Sequence, residues 1–515
     1  MPFKEFLACA CLFLTSLTSF AQSYQPARFV AEPNAPSRAE RVRALQSEIE
    51  RAYRDFAIAQ HIPGFAFGVV LDGQLVLSGS YGVSQIDGKV PATTQTLFRI
   101  ASMSKSFAAM AILHLRDQGK LRLDDPAEKH LSELKRATPL TKDSPKITIR
   151  DLLTHSAGFP EDNPWGDWQL EDKDSDLVEL VRGGLSLSNP PGLAYEYSNL
   201  GYALLGRIVT KISGLSCQRY IDRHILAPLG MKNTQWEYTK VPPALLAHGY
   251  RWEEEQWKEE KLLHDGVFGP MGGMISSIED FSKYITLHLN AWPPRDSNGP
   301  GPLRRSSLRE MHQPGRISGL LSDARKPDGI PCPIVTAYAF GLGWTRDCDG
   351  RIALAHTGGL PGFGSNWRIL PEYGIGVVSL ANRTYSPAAS INNTVLNLIL
   401  EKAKLQPRAL PASAILEQRK NELLKFLPDW NNATNSPIFA ENFFGDHSAE
   451  LRRQATQALF NKAGQIQRIG DLKPQNNLRG AFLIHAARAT LEIYFTLSPE
   501  NPPLIQEFKA RELPR

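Results

Sequence analysis

The 515-residue sequence has little of what several functional classes require. Its charged side chains are nearly balanced, with 58 Lys and Arg against 53 Asp and Glu, and no five like charges stand together. This scattered charge gives no reason to expect binding to nucleic acid or to a charged membrane surface. His-Glu-x-x-His and paired Cys or His residues at zinc spacing are missing, so no metal or organic cofactor is expected. Gly-x-Ser-x-Gly is missing too, which disfavours an α/β-hydrolase.

The N-terminus has the three regions of a secretory signal. Lys4 precedes an apolar run at residues 6–14, and the small-residue sequence Ser19-Phe20-Ala21 precedes Gln22. The run is too short to span a bilayer, so we predict a signal peptide at residues 1–21. We therefore expect an exported protein, periplasmic or secreted, with no transmembrane segment in the mature chain. A disordered or membrane-anchoring start is the alternative.

Cysteine is scarce, with 5 in the chain, and only Cys217, Cys332 and Cys348 lie beyond the predicted signal peptide. Cys332 and Cys348 flank residues 338–344, which are predicted to form a strand. In an oxidising compartment these two cysteines could form a local disulfide. Two free buried thiols are the equally open alternative.

Hydrophobic periodicity predicts an α+β fold. Asp72-Gly73 separates two β-rich runs, a strong hairpin signal. The predicted elements are a helix at 41–60, strands at 65–71 and 74–80, helices at 104–119 and 201–213, strands at 352–355, 366–370 and 375–380, and a helix at 390–402. Strands at both ends of this region predict an antiparallel sheet flanked by helices, with an inserted helical lobe. A cleft between the sheet and the lobe is the expected ligand site.

Pro407 and Pro411 mark a boundary late in the chain. We predict a large domain at 22–404, a linker at 405–412 and a small α+β domain at 413–515. The small domain has predicted helices at 415–426 and 449–462 and predicted strands at 465–472, 478–485 and 490–497.

Ser102-x-x-Lys105 is the first candidate catalytic pair. The spacing also occurs at Ser132 and Lys135, but Ser102 lies where an irregular segment enters a helix that is apolar all round. Residues three apart at a helix start share one face, and burial lowers the pKa of a lysine. Lys105 could then take a proton from Ser102 and make it nucleophilic. A helix-capping role for Ser102 is the alternative.

Two further groups accompany this pair. Tyr197-Ser198-Asn199 precedes an apolar helix, where the phenol could relay protons to a leaving group and the Asn amide could donate to a substrate carbonyl and to the serine–lysine pair. His356-Thr357-Gly358-Gly359 follows the predicted strand 352–355. There, His356 and Thr357 could hold a substrate carboxylate or assist proton transfer. The backbone N–H groups of Ser102 and Gly359 could form an oxyanion hole.

These motifs resemble those of the serine β-lactamase and penicillin-binding superfamily, within its class C β-lactamase, D-alanyl-D-alanine carboxypeptidase and esterase branch. The resemblance covers about 62–402. It rests on 98–105 (FRIASMSK), 152–158 (LLTHSAG), 197–202 (YSNLGY), 228–231 (PLGM), 272–277 (GGMISS), 338–344 (YAFGLGW) and 356–359 (HTGG).

The resemblance implies a β-lactamase/transpeptidase-like fold and assigns roles to the residues. Ser102 would be the acylated nucleophile, Lys105 its base and Tyr197 a proton-transfer residue. Asn199, His356, Thr357 and Gly358 would bind substrate. His356 stands where many relatives have Lys, so a permanent cation for a substrate carboxylate is missing. His155 belongs to a motif that we interpret as structural.

The resemblance predicts an exported serine hydrolase that cleaves an amide, ester or β-lactam through an acyl-enzyme, most like the carboxypeptidases and esterases. A penicillin-binding or cell-wall-peptide-binding sensor with little turnover is the alternative. Residues 472–480 and 494–499 of the small domain resemble the nuclear-transport-factor-2-like superfamily. A small molecule or short peptide is the expected substrate, and the sequence leaves the oligomeric state open.

Overall fold

The computed structural model describes residues 37–136, 138–294, 301–326, 328–408 and 410–514. The predicted signal peptide therefore lies outside the described residues. The chain divides into two compact units between Arg408 and Ala409, inside the predicted linker 405–412.

Strands and helices alternate in blocks along the chain. The strands are β1 Gly64–Leu71, β2 Gln74–Gln85, β3 Val90–Pro91, β4 Phe98–Arg99, β5 Tyr250–Glu253, β6 Gln256–Glu259, β7 Ile275–Ser276, β8 Arg316–Leu321, β9 Ile334–Tyr338, β10 Gly343–Arg346, β11 Ile352–Leu360, β12 Phe363–Leu370, β13 Ile375–Ala381, β14 Ile466–Ile469, β15 Lys473–Asn476, β16 Arg479–Ala486, β17 Thr490–Leu497 and β18 Ile505–Glu512. The α-helices are α1 Arg38–Arg43, α2 Gln46–Ala59, α3 Ser104–Asp117, α4 Ile149–Leu153, α5 Asn163–Gly166, α6 Asp174–Gly183, α7 Asn199–Ser213, α8 Cys217–Ile221, α9 Ala227–Leu229, α10 Gly269–Gly272, α11 Ile278–Leu289, α12 Arg305–Met311, α13 Ala388–Lys402, α14 Ala414–Leu423, α15 Asn442–Asp446 and α16 Ala449–Ala463. Among the described residues, no helix is both long and apolar enough to cross a bilayer.

A nine-stranded antiparallel sheet organises the large unit, in the order β3-β2-β1-β13-β12-β11-β10-β9-β8. The hairpin of β1 and β2 comes from the N-terminal part of the large unit. Its strand β1 pairs with β13, from the C-terminal part, and in this pair Phe65 lies opposite Ala381 and Leu71 opposite Ile375. The helices α3 to α10 lie in sequence between these two groups of strands. The predicted antiparallel sheet, flanked by helices and carrying an inserted helical lobe, is confirmed.

Helices cover both faces of this sheet, so every residue of β1 is buried. Alternate side chains of a strand point to opposite faces. Phe65 joins a core with Tyr53 of α2 and Val395 of α13. Ala66 points the other way and joins a second core with Phe281 of α11. The sheet is therefore a rigid platform, and the strand β11 at its centre can hold side chains in fixed positions.

Several local predictions differ from the structure. The predicted helix 41–60 is divided into α1 and α2 by a turn at 44–45, and the predicted strand 74–80 continues to Gln85. Residues 338–344 are not one strand: β9 ends at Tyr338 and β10 begins at Gly343, because Gly341 adopts a positive φ of 70° that turns the chain. Strand β11 does not stop at Ala355 but continues to Leu360, because β12 pairs with it along this whole length. A disulfide joins Cys332 and Cys348, next to the hairpin that β9 and β10 form.

The small unit is built on a five-stranded antiparallel sheet in the order β14-β16-β17-β18, with β15 also paired to β16. Its core contains Leu416 of α14, Phe460 of α16 and Phe495 of β17. The sequence predicted three of these strands and missed β15 and β18, which are largely polar. The resemblance of this unit to the nuclear-transport-factor-2-like superfamily remains a prediction.

Candidate active site

The segment that carries Ser102 is held between two parts of the large unit. Strand β4 pairs with β7, and the Ile100 N–H donates to the Met274 carbonyl at 2.9 Å. Ala101 then adopts a positive φ of 49°, and a 3-10 turn, Ala101–Met103, leads into α3. A left-handed non-glycine residue costs about 1 kcal/mol or more, so the surrounding contacts must hold this turn in place. Ser102 makes no capping hydrogen bond to α3, whose N-cap position is Met103.

Lys105 lies one turn further along and is fully buried. Its Nζ is 3.0 Å from Ser102 Oγ, 2.6 Å from Asn199 Oδ1 and 2.8 Å from the Met271 carbonyl oxygen. Burial lowers the pKa of Lys105 to about 7, although the nearby carboxylates Asp162 and Asp167 oppose the change. The neutral amine has two N–H bonds and one lone pair. Because the amide and the carbonyl oxygen accept both N–H groups, the lone pair is left for the Ser102 hydroxyl.

Tyr197 lies against the same amine, with Lys105 Nζ 4.9 Å from the centre of its ring. Burial raises the pKa of Tyr197 well above its usual value, while hydrogen bonding with Ser102 opposes this rise. The phenol is therefore protonated at neutral pH and can donate. His155 packs on the Tyr197 ring at 4.3 Å between centroids, and its Nδ1 accepts the Ser198 N–H at 3.0 Å. His155 thus contacts both the Tyr197 ring and the start of α7, and its structural role stays a prediction.

Asn199 lies against Lys105, and its binding of substrate stays a prediction. It is fully buried, its Oδ1 accepts from Lys105, and its Nδ2 donates to the Asn163 carbonyl at 3.0 Å. Asp162 holds the start of α7 in place, because its carboxylate accepts hydrogen bonds from the Ser198 hydroxyl and from the backbone N–H groups of Asn199 and Leu200. The amide of Asn199 thus orients Lys105 and does not line the cleft.

His356 lies inside β11 and is buried. Its Nδ1 is 2.7 Å from the Thr357 carbonyl oxygen, which can only accept, so Nδ1 carries the proton. Its Nε2 is 2.8 Å from the Tyr338 hydroxyl and must accept from it. Burial, together with the charge of Lys105, lowers the pKa of His356 to about 3. The imidazole is therefore neutral at physiological pH and offers no cation to a carboxylate.

Glycines let β11 approach the nucleophile closely. A Cβ on Gly358 would lie 2.2 Å from the Ile100 carbonyl oxygen and 3.0 Å from the Ala101 side chain. Strand β10 pairs with β11 only up to Ala355. Beyond this point, residues 356–360 have no described strand on the β10 side and border the cleft there. Thr357 is exposed there, and its Oγ1 accepts from Asn366 Nδ2 at 3.2 Å.

A cleft of about 600 Å³ brings these groups together. Its lining includes the predicted residues Ser102, Tyr197, His356, Thr357, Gly358 and Gly359, whereas Lys105 and Asn199 lie beneath it. Among the described lining residues there is no Lys or Arg, and Glu161 is the one carboxylate. The cleft walls are therefore mainly uncharged and aromatic, with Tyr195, Tyr338 and Trp344 in addition to Tyr197.

Several residues of the site escaped the sequence analysis. Asp162, Asp167 and Tyr385 belong to no short motif that signals chemistry, and their partners are distant in the sequence. Tyr338 lies in the motif 338–344, but its hydrogen bond to His356 joins two strands and is not predictable from that motif. The oxygens of Asp162 cap α7 from 36 or more positions away.

The chain belongs to the Beta-lactamase family, whose profile matches residues 47–401. Protein flp of Staphylococcus aureus (strain MW2) is 31% identical over 324 residues, which are 62% of this chain and 60% of that protein. Beta-lactamase-like protein 2 of Dictyostelium discoideum is 29% identical over 348 residues, or 66% of this chain and 60% of that protein. The chain thus spans about 60% of the length of these relatives.

Solved structures share the fold. The octameric penicillin-binding protein homologue from Pyrococcus abyssi has a TM-score of 0.57 at 20% identity, covering 91% of this chain and 96% of that one. The penicillin binding protein from Bacillus halodurans has a TM-score of 0.54 at 23% identity, covering 67% of this chain and 99% of that one. The predicted membership of the serine β-lactamase and penicillin-binding superfamily is confirmed.

Proposed function

We propose that this protein is a serine hydrolase that cleaves uncharged esters or amides through an acyl-enzyme on Ser102. One observation carries the proposal: a fully buried lysine, with a pKa lowered to about 7, lies 3.0 Å from the serine hydroxyl. A base whose pKa is near the working pH combines a large neutral fraction with enough basicity to remove a proton.

In the proposed acylation, Ser102 Oγ attacks the substrate carbonyl carbon while its proton passes to Lys105 Nζ. The backbone N–H groups of Ser102 and Gly359 are proposed to stabilise the oxyanion. Collapse of the tetrahedral intermediate breaks the bond to the leaving group, which takes a proton from the Tyr197 hydroxyl as Lys105 returns one to the phenol. Water then attacks the acyl-enzyme by the reverse sequence.

The charge of the cleft favours uncharged substrates over β-lactams and peptides that end in a carboxylate. Burial and the charge of Lys105 lower the pKa of His356 to about 3 and keep it neutral, and no described Lys or Arg lines the cleft. A carboxylate moved from water to this surface would lose solvation without gaining a cationic partner, and Glu161 would repel it. Within the expected carboxypeptidase-like or esterase-like activities, we therefore favour the esterase.

We also propose that the protein is exported. The disulfide between Cys332 and Cys348 supports this, because disulfides persist mainly in oxidising compartments. The predicted signal peptide at residues 1–21 supports it independently. Cell fractionation, with mass spectrometry of the mature N-terminus, tests the proposal: a chain that keeps residues 1–21 in the cytoplasmic fraction would contradict it.

The hydrolase proposal is tested with fluorophosphonate labelling and p-nitrophenyl butyrate turnover. We expect one label on Ser102 and loss of turnover by about a thousandfold or more in Ser102→Ala. Ser132→Ala is the matched control, because Ser132 has the same spacing to a lysine but both residues are exposed, in the 3-10 helix Ser132–Arg136. This variant should keep full activity.

Two outcomes would contradict parts of the proposal. Labelling that stops after one equivalent, with no steady-state turnover of any ester, would favour the penicillin-binding or peptide-binding sensor. Preference for mono-p-nitrophenyl glutarate over p-nitrophenyl butyrate, after correction for spontaneous hydrolysis, would contradict the argument for uncharged substrates.

A further inference from the structure

Tyr385 reaches across one end of the cleft. It follows β13 on the sheet side, lines the cleft and is 49% exposed. Its hydroxyl donates to Asp167 Oδ2 at 2.7 Å. Asp167 lies in the 3-10 turn Asp167–Gln169 of the helical lobe, directly after α5, which contributes Asn163 to the cleft. The hydrogen bond thus connects the two walls of the cleft.

The backbone at Tyr385 and at Gly359 places the Tyr385 ring against β11. Tyr385 adopts a positive φ of 49°, an unfavourable conformation for a large side chain, and its N–H donates to the Phe363 carbonyl at 3.1 Å. Gly359 leaves room for the ring, because a Cβ there would lie 2.7 Å from Tyr385 Cδ1. The ring therefore lies against the strand beside the proposed oxyanion hole.

Asp167 is an unusual anchor for this contact. It is 1% exposed, and its second oxygen, Oδ1, has no hydrogen-bond partner among the described residues. A buried carboxylate with one unpaired oxygen is unfavourable. The hydrogen bond from Tyr385 therefore stabilises Asp167 more than a solvent-exposed hydrogen bond would. Trp165 and Trp168, close to Asp167 in the sequence, are 40% and 60% exposed.

We infer that the Tyr385–Asp167 hydrogen bond is a strap that closes the Gly359 end of the cleft and limits the length of the substrate group extending there. The inference rests on the proposed hydrolase function. Tyr385 acts here as a specificity-determining residue, and Asp167 is the positioning residue that holds it. Substrates extend freely only toward the opposite end of the cleft, where Ser318 and Thr336 lie.

The experiment measures kcat/KM for two ester series in the full-length protein. One series lengthens the acyl group of p-nitrophenyl esters from acetate to octanoate, and the other lengthens the alcohol of alkyl acetates from ethyl to octyl. Only one of the two groups can extend past Gly359. Each methylene that gains a place against apolar surface is worth about fourfold.

Tyr385→Phe keeps the ring and loses the hydrogen bond. In this variant we expect the ratio of kcat/KM for the longest ester to kcat/KM for the shortest to rise about fivefold or more in one series. In the other series the same ratio should stay within about twofold of the wild-type value. Asp167→Ala should reproduce this effect. Asp167→Asn, whose amide oxygen still accepts from the phenol, should retain the wild-type ratio. Thermal unfolding of each variant separates this pattern from general loosening, which changes both series alike.

Unchanged ratios in both series, or equal changes in both, would overturn the strap while leaving the hydrolase function intact. If wild-type protein and Tyr385→Phe both show no Ser102-dependent turnover or fluorophosphonate labelling, the proposed function fails and the strap fails with it.

Discussion

The pKa of Lys105 makes a quantitative prediction about the pH dependence of acylation. Burial lowers this pKa from 10.5 to about 7, so half of the amine is neutral at pH 7. A lysine of ordinary pKa would be neutral in only about one molecule in three thousand at that pH, a difference of more than a thousandfold in available base. Because only the neutral amine can accept the Ser102 proton, kcat/KM should rise with pH and level off above about pH 7.

The assay is steady-state hydrolysis of p-nitrophenyl butyrate, corrected for the spontaneous reaction. We expect a slope of about tenfold per pH unit below pH 6 and a midpoint near 7. Asp167→Asn removes a charge that raises the pKa of Lys105, so the midpoint should move to lower pH in that variant. A midpoint at about pH 9 or above, or a rate independent of pH between about 5 and 8, would refute Lys105 as the base.

The same pKa change predicts how stability varies with pH. The pKa of Lys105 is lower in the folded protein than in the unfolded chain, so between pH 7 and 10.5 the unfolded chain binds more protons and stability rises with pH. Between pH 7 and 9 this contribution amounts to about 2 kcal/mol. The free energy of unfolding of Lys105→Met lacks this pH dependence. The difference between variant and wild type, taken as variant minus wild type, should therefore be about 2 kcal/mol larger at pH 7 than at pH 9. Equal differences at both pH values, measured by urea unfolding, would show that the amine is not desolvated.

Three further outcomes are expected. Gly358→Ala should lower Ser102 labelling about a hundredfold or more, because the new Cβ would lie 2.2 Å from a backbone carbonyl oxygen of the nucleophile segment. Gly319→Ala, whose Cβ would meet only a threonine oxygen at 3.5 Å, is its control and should label normally. His356→Lys should raise the preference for mono-p-nitrophenyl glutarate over the butyrate about tenfold, a change worth about 1.4 kcal/mol, whereas the neutral His356→Gln should not. Reduction of the disulfide between Cys332 and Cys348, 16 residues apart, should lower the free energy of unfolding by about 3 kcal/mol in the wild type and leave the double serine variant unchanged.

Local chemistry is the part of this site that the sequence predicts well. Ser102 and Lys105 are three residues apart at the start of an apolar helix, and helix geometry alone brings them together. The hairpin around Asp72-Gly73 is predictable for the same reason, because its two strands are joined by the turn itself. The burial of Lys105 could also be anticipated, since α3 is apolar on every side.

Contacts between distant segments could not be predicted in this way. The role of Asn199 depends on Asp162, whose carboxylate accepts N–H groups from the start of α7 and holds the Asn199 amide beneath the cleft. No periodic pattern indicates that a carboxylate in one loop caps a helix that begins far away. The extent of β11 depends likewise on pairing with β12, while its own residues, His356 to Gly359, have the composition of a strand end.

The two bases of the cleft explain each other. His356 and Lys105 are both buried, and the charge of Lys105 is one of the causes that lower the pKa of His356 to about 3. When Lys105 takes the Ser102 proton during acylation, its new charge disfavours protonation of His356 further. Lys105 is half protonated at pH 7 and becomes charged when it takes the Ser102 proton, so a neutral His356 avoids a second buried charge near it. The Tyr338 hydroxyl also occupies the one imidazole nitrogen that could take up a proton. The neutral imidazole and the lysine base are therefore two consequences of the same cause, burial beside the aromatic cleft.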